Sequence, residues 1–415
     1  MNAGDTAWVL VCAALVLFMT VGLAFFYAGL EPHRNVLDML AMNFFTIAIV
    51  TVVWVLVGFT LAFGPDAGLG LIGNLHYAGL RNMSGTWPGT HIPKLAFMAF
   101  QMMFAIITPA LITGAIAGRM KFEAWIAFCT GWSLVVYPVL AHWIFDPQGW
   151  LYRLGARDFA GGAVVHASAG AAALVVVLVL GPRSAKAAAS YRPHSVPLVL
   201  LGAGILWFGW FGFNAGSALG ANQLATTAFV TTQIAAAAGC LAWAAMERIF
   251  TGKATVVGMA TGAVVALATI TPGSGYVGAM PALAIGTVAG VVCYLATRAA
   301  LRQTRFDDSF GVLAAHGVGG TLGMLLVGVF AHHSINPTGL TGSHGQSLDG
   351  LVFGHALLLW HQTVAVIAAV AFTAAVTFGL VQLVKATIGL RVSHEQEDAI
   401  GLNTGFDDAV YDMSM

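Results

Sequence analysis

Long apolar runs separated by short polar loops occupy this chain from one end to the other. A bilayer core is spanned by about 20 apolar residues in an α-helix. Eleven such runs occur, near 6–30, 39–64, 95–118, 122–145, 159–181, 196–218, 223–246, 254–272, 277–297, 309–330 and 351–384. The pattern predicts an all-α integral membrane protein with eleven transmembrane helices. Two runs share a further pattern. Asp158-Phe159-Ala160-Gly161-Gly162-Ala163-Val164-Val165-His166 and Asp308-Ser309-Phe310-Gly311-Val312-Leu313-Ala314-Ala315-His316 lie 150 residues apart, each with a His eight positions after its Asp. Gly161 matches Gly311, and Gly170 matches Gly320. A histidine inside a membrane helix is costly and points to function. Two in matched register predict a duplicated membrane protein with its working site between the halves.

Composition agrees with the pattern. Hydrophobic residues make up 59% of the 415 and charged residues 8%, roughly a third of what a soluble domain carries. The 50 glycines suit close helix contacts in lipid, where small residues let backbones approach. Spans this dense leave no room for a separate soluble domain, and a net charge of zero goes with no nucleic-acid partner. Cys12, Cys129, Cys240 and Cys293 all fall inside spans without metal-ligand spacing, so they are read as packing residues.

Loop charge sets the orientation. With the N-terminus outside, the inner loops and tail hold 13 of the 17 Lys and Arg residues, and the outer loops hold only Arg81, Lys94, Arg153 and Arg157. That bias predicts N-out, C-in. Met1–Asp5 carries no basic residue, so the first span is read as retained rather than as a signal peptide. Spans five and ten then run in opposite directions, and the duplication becomes an inverted repeat of five plus five. Repeat one covers about 6–181 and repeat two about 196–330, while helix eleven, about 351–384, is unpaired. Residues 1–390 would form the transmembrane domain and 391–415 a cytoplasmic tail. Eight residues advance roughly 12 Å along a helix. Entering from opposite faces of a core about 30 Å thick, both histidines reach the midplane.

Plainer roles exist for the same residues. Asp158 and Asp308 are placed to cap helix N-termini; for Asp158 that is compatible with shaping a cation vestibule. A histidine can also be a packing residue, although the matched pair argues against that. Span six alternates aromatics and glycines in Trp207-Phe208-Gly209-Trp210-Phe211-Gly212-Phe213-Asn214-Ala215-Gly216-Ser217, as closely packed helices do. Span three adds Phe100-Gln101-Met102-Met103-Phe104. Aromatic faces at a pore mouth attract cations, and rings deeper in can exclude water.

The Asp158–His166 run, Trp210–Ser217, His316-Gly317-Val318-Gly319-Gly320, Gly389-Leu390-Arg391-Val392, Asp5-Thr6-Ala7-Trp8-Val9-Leu10 and Phe25-Phe26-Tyr27-Ala28-Gly29-Leu30 together resemble the ammonium transporter (Amt/Mep/Rh) family, in its bacterial Amt branch. The resemblance covers nearly the whole chain. It implies a multi-pass homotrimer in the bacterial cytoplasmic (inner) membrane, surrounded by lipid. One pore through each protomer would take ammonium, with methylammonium as an analogue and without cofactor or metal. By motif, His166 and His316 match the paired pore histidines, and Phe104 and Phe213 the stacked phenylalanines above them. Ser217 matches the hydroxyl of the outer ammonium site and Asp158 its supporting acidic residue, while Trp210 lines the pore beside the gate. Phe145 stands where the family usually has a Trp at that site, with Trp143 two residues away as a substitute. Gly311 replaces a common Asp near the inner exit. Gly405-Phe406-Asp407 replaces the usual tail stretch, which bears on control by a nitrogen-signalling PII-type partner.

The physics suits ammonium. Moving an intact cation through a narrow apolar pore costs several kcal/mol or more, whereas ammonium can shed a proton and cross as ammonia. Imidazoles near neutral pKa could relay the proton released, so transport is either electrogenic or that of a neutral gas channel. Other classes fit less well. A sensor would need signalling through the tail, and no kinase or cyclase domain follows Arg391. No His-Glu-x-x-His or Gly-x-Ser-x-Gly lies in the spans, which disfavours an intramembrane enzyme. A water channel would need paired Asn-Pro-Ala motifs, and Asn336-Pro337 falls in an outer loop. His332, His333 and His344 read as a solvated loop rather than a metal site.

The orientation is directly testable. Cysteines introduced in the 332–350 loop should label from outside in intact cells, and those in 183–194 should not. Reversed labelling would contradict the inverted repeat.

Overall fold

The computed structural model of this chain describes residues 1–302, 306–342 and 345–403. Arg305, His344 and the Gly405-Phe406-Asp407 stretch lie outside the described residues. Among those residues the regular structure is helical, with only isolated bridges in loops. Eleven apolar helices follow in order: α1 (Ala3–Leu30), α2 (His33–Phe63), α3 (Lys94–Ile116), α4 (Phe122–Ile144), α5 (Gly162–Leu180), α6 (Val196–Gly216), α7 (Gln223–Thr251), α8 (Val256–Ile270), α9 (Ala279–Ala300), α10 (Leu313–Phe330) and α11 (Leu357–Thr387). Ten are long and apolar enough to cross a membrane, and α8 is shorter at 15 residues.

Local chemistry sets the ends. Asn2, Ser195, Asn222 and Thr255 each accept a backbone N–H three residues on, capping α1, α6, α7 and α8. Helix α8 ends early because Pro272 disfavours helical backbone at the residue before it and donates no hydrogen bond. Helix α11 starts later than the apolar run. Leu351–Phe353 is a separate 3₁₀ turn, and Gly354 at φ +88° stops it from continuing.

Glycines on α6 let it lie against α1. A Cβ at Gly202 would stand 2.3 Å from Phe26 N, and one at Gly212 2.9 Å from the Cys12 carbonyl. The aromatic–glycine alternation of α6 therefore divides by face. Gly209, Gly212 and Gly216 meet α1, Phe208 is exposed, and Trp210 and Phe213 are buried.

The bundle has two unlike ends. At one, the loops around residues 87–90, 145–159, 217–219 and 336–339 enclose a vestibule. At the other, charged groups bind the tail. Arg183 forks onto Asp307 with two 2.8 Å bonds, and Arg119 donates to the Asp307 and Gly181 carbonyls. This pairing holds the Asp307 carboxyl below its ordinary pKa. Glu31 is fully buried and accepts from the Tyr191 hydroxyl at 2.8 Å; its burial pushes the carboxyl up to about 7. The tail folds back across these loops. Val392 N donates to Arg119 O, Arg391 pairs with Glu397 at 2.7 Å, and Asn403 bonds both Leu37 N and His33 O.

Candidate functional site

Both Asp…His segments begin with the same turn. Asp158 Oδ1 accepts from Gly161 N and Gly162 N, and Oδ2 from Ala163 N and Val164 N, at 2.7–3.3 Å. Asp308 accepts from Val312 N at 3.0 Å and Leu313 N at 2.7 Å. Each carboxylate thus satisfies amides that a helix start leaves unpaired. Gly161 has φ +120° and Gly311 φ +74°, a backbone that glycine adopts without strain. That explains the matched glycines. The turn then widens, since Gly162–Ala167 and Leu313–Val318 are both π-helical, a geometry frequent at functional sites. Each histidine sits in its widened turn.

The two segments enter from opposite ends. Asp158 lines the vestibule, while Asp308 follows Asp307 in the charged cluster at the other end. Where α5 and α10 meet, a Cβ at Gly170 would lie 2.2 Å from Gly317 Cα, and one at Gly320 2.7 Å from both Ala167 N and His166 Cβ. This approach brings His166 Nδ1 within 3.2 Å of His316 Nδ1. Both rings are buried and nearly parallel, with centroids 5.2 Å apart. His166 also stacks on Trp210 at 5.5 Å, and the indole N–H of Trp210 donates to Thr271 Oγ1 at 2.8 Å. His166 Nε2 has no partner among the described residues.

The histidines line a passage with Leu23, Leu111, Val165, Trp210 and Phe213 whose free volume is about 10 Å³, about the limit for one water. Phe104 and Phe213 stack at 4.1 Å, with Phe213 lining the passage and Phe104 the vestibule. The vestibule itself holds about 420 Å³. Phe145 and Ser217 line it, and the Ser217 hydroxyl donates to Phe213 O at 2.9 Å.

Trp143 lies outside the vestibule lining. Its N–H donates to Leu71 O at 2.8 Å and its ring packs on Trp150 and Phe372, away from the vestibule lining. Trp87 and Gln101 are among the lining residues that the sequence left unassigned. Trp87 stacks on Phe97 at 4.1 Å; its signal was a large aromatic in the Gly/Pro-rich loop Ser84–Thr90. Gln101 also lines the vestibule, and its Oε1 is buried without a partner among the described residues, an arrangement that calls for a donor. In the loop after α10, His332 bonds Ser334 Oγ and His333 N donates to Asp349.

Comparison with known proteins gives one consistent match. The family model of the Ammonium Transporter Family matches residues 7–412. An ammonium transporter of Aquifex aeolicus is 45% identical over 399 residues, covering 96% of this chain and 91% of that protein. One of Bacillus subtilis is 43% identical over 406 residues, covering 97% of each. Among solved structures, Saccharomyces cerevisiae Mep2 superposes with a TM-score of 0.86 at 34% identity, covering 95% of this chain and 91% of that one. A protein described as a Sensor Amt Protein gives 0.87 at 30% identity, covering 98% of each.

The glycine geometry yields a contrast. At Gly311 a Cβ meets open space and only the backbone at φ +74° resists a side chain; Gly311→Asp should cost about 1 kcal/mol, the low end for left-handed backbone because Asp tolerates it better than most residues. Gly320→Ala forces a Cβ into the α5 backbone and should cost about 1–3 kcal/mol. Thermal unfolding in detergent checks the order.

Proposed function

This chain belongs to the ammonium transporter family, a family of membrane transporters rather than enzymes, and we propose that it carries ammonium inward across a bacterial cytoplasmic membrane. In this reading the vestibule faces outward and the charged end faces the cytoplasm, as loop charge predicts. The observation that carries the reading is the contact of His166 with His316 directly beneath the stacked Phe104 and Phe213.

Ammonium would be recruited at the vestibule by the faces of Phe104, Phe145 and Trp87, each a source of cation–π attraction. The lone pairs of Ser217 Oγ and Gln101 Oε1 would accept its N–H groups. Asp158 acts indirectly. Its oxygens are engaged by four amides, so it shapes the mouth rather than touching the cation. Phe145 attracts less strongly than Trp would, which gives this site a weaker hold on the cation.

The passage beyond admits nothing hydrated. An intact cation would lose its water to apolar walls, at a cost of several kcal/mol or more. Ammonia loses far less, so ammonium gives up a proton on entry. The histidine pair is suited to take it. With one proton shared between the two Nδ1 atoms, one ring presents an accepting Nε2 and the other an Nε2–H. The accepting Nε2 takes the incoming proton, the shared proton shifts across the 3.2 Å contact, and the second ring releases its own. Potassium has no proton to lose and is excluded.

A second reading, an ammonium sensor with little flux, draws on the likeness to the Sensor Amt Protein; a sizeable ammonium current counts against it. Assembly as a homotrimer, and control by a PII-type regulator at the charged end, complete the proposal.

Currents in proteoliposomes test it. His166→Ala and His316→Ala should each lose most of the ammonium current while the protein still folds, because replacing a buried polar group need not destabilise apolar surroundings. His166→Asp should keep a current but admit potassium, since a carboxylate attracts intact cations. Wild-type ammonium currents with potassium still rejected in both alanine variants would make the histidines packing residues.

A further inference from the structure

We infer that Gln362, on the unpaired helix α11, is a positioning residue for the outer ammonium site, acting through the peptide of Arg157. The inference rests on the transport reading above and adds a residue to it.

Gln362 is an isolated amide in an apolar helix and is fully buried, a placement that is expensive unless every polar atom is used. All of it is used on one segment and its neighbour. Oε1 accepts from Arg157 N at 2.7 Å, while Nε2 donates to Arg157 O at 2.6 Å and to Met324 O at 3.1 Å. One side chain thus pairs both polar groups of a single residue, as a neighbouring strand would.

That residue stands immediately before Asp158. Its guanidinium continues the clamp, donating to Gly339 O at 2.5 Å, Thr341 O at 3.0 Å and Ala156 O at 2.9 Å. Gly339 and Arg157 are in the vestibule wall. On the other side of Asp158, Phe159 N donates to Pro272 O at 3.1 Å. The carboxylate that gathers the amides of α5 is therefore held between two fixed peptides, and Gln362 holds one of them. Met324 lies eight residues after His316 on α10. A single amide from outside the repeats consequently fastens the entry to one histidine helix onto the body of the other.

Loss of this amide leaves the Arg157 N–H and C=O buried and unpaired. The turn from 157 to 164 should then shift or loosen, altering the mouth while leaving the passage intact. Gln362→Leu should raise the half-saturating ammonium concentration about tenfold and keep the maximal current within about twofold. Hydrogen exchange of the 161–164 amides should accelerate about tenfold or more, with α7 and α9 unchanged. An unchanged half-saturation would overturn the inference. So would a drop in active protein or in thermal midpoint while half-saturation stays constant, which marks a structural anchor only. If Gln362→Leu gives no folded protein, Gln362→Glu keeps the acceptor for Arg157 N, removes the amide donor and is judged by the same two readouts. A wild-type protein without ammonium current would overturn the transport reading, and the clamp would then be decided by exchange alone.

Discussion

Where α5 crosses α10, backbone meets backbone. Gly170 faces Gly317 so closely that a Cβ would sit 2.2 Å from Gly317 Cα, and Gly320 stands in the mirrored position against Gly162, Ala167 and His166. No other residue type permits this separation, and the rest of the pore depends on it. The crossing places two imidazoles from opposite ends of the bundle 3.2 Å apart. The preceding turns, each tied by an Asp and released by a glycine at positive φ, set the register in which the rings meet. The widened π-type turns that carry the histidines are the same on both sides.

Around that contact the surroundings are sorted by polarity. The vestibule is roomy and mixes aromatic faces with Ser217, Gln101 and Asp158; the passage beyond is narrow and, apart from the histidines, apolar. The Phe104–Phe213 stack is the boundary between the two. A charge is welcome on one side of it and costly on the other. The histidines lie on the apolar side of that boundary, where the proposed separation of amine from proton would take place.

Much of this was legible from residue order because it follows from periodicity and matched spacing. The series of apolar helices, the paired histidines and the capping role of both aspartates rest on local pattern, and the structure agrees with each. The helix ends at Ile270 and Leu357 were less visible, because Pro272 and Gly354 override the hydrophobic run. Side-chain direction away from the matched segments was not legible. Trp143 and Phe145 are two residues apart, yet the indole N–H of Trp143 binds Leu71 O and its ring leaves the vestibule to Phe145. Trp87 reaches the site only through folding of a loop distant from the motifs, and Gln101, inside the Phe100–Phe104 run, only through the direction of its side chain. The tail's return across the charged end likewise depends on Asn35, Arg119 and Ser184, which no tail motif announces.

In the proposed transport, amine and proton cross together but by separate means. Current and lumenal pH recorded on the same proteoliposomes during an ammonium jump address it most directly, with protein-free liposomes measuring the passive ammonia leak. Coupled crossing predicts that the protein adds an inward positive current, none with potassium, and no more lumenal alkalinisation than protein-free liposomes show. Added alkalinisation without current would mean that ammonia crosses alone, and the proton relay through His166 and His316 would be contradicted.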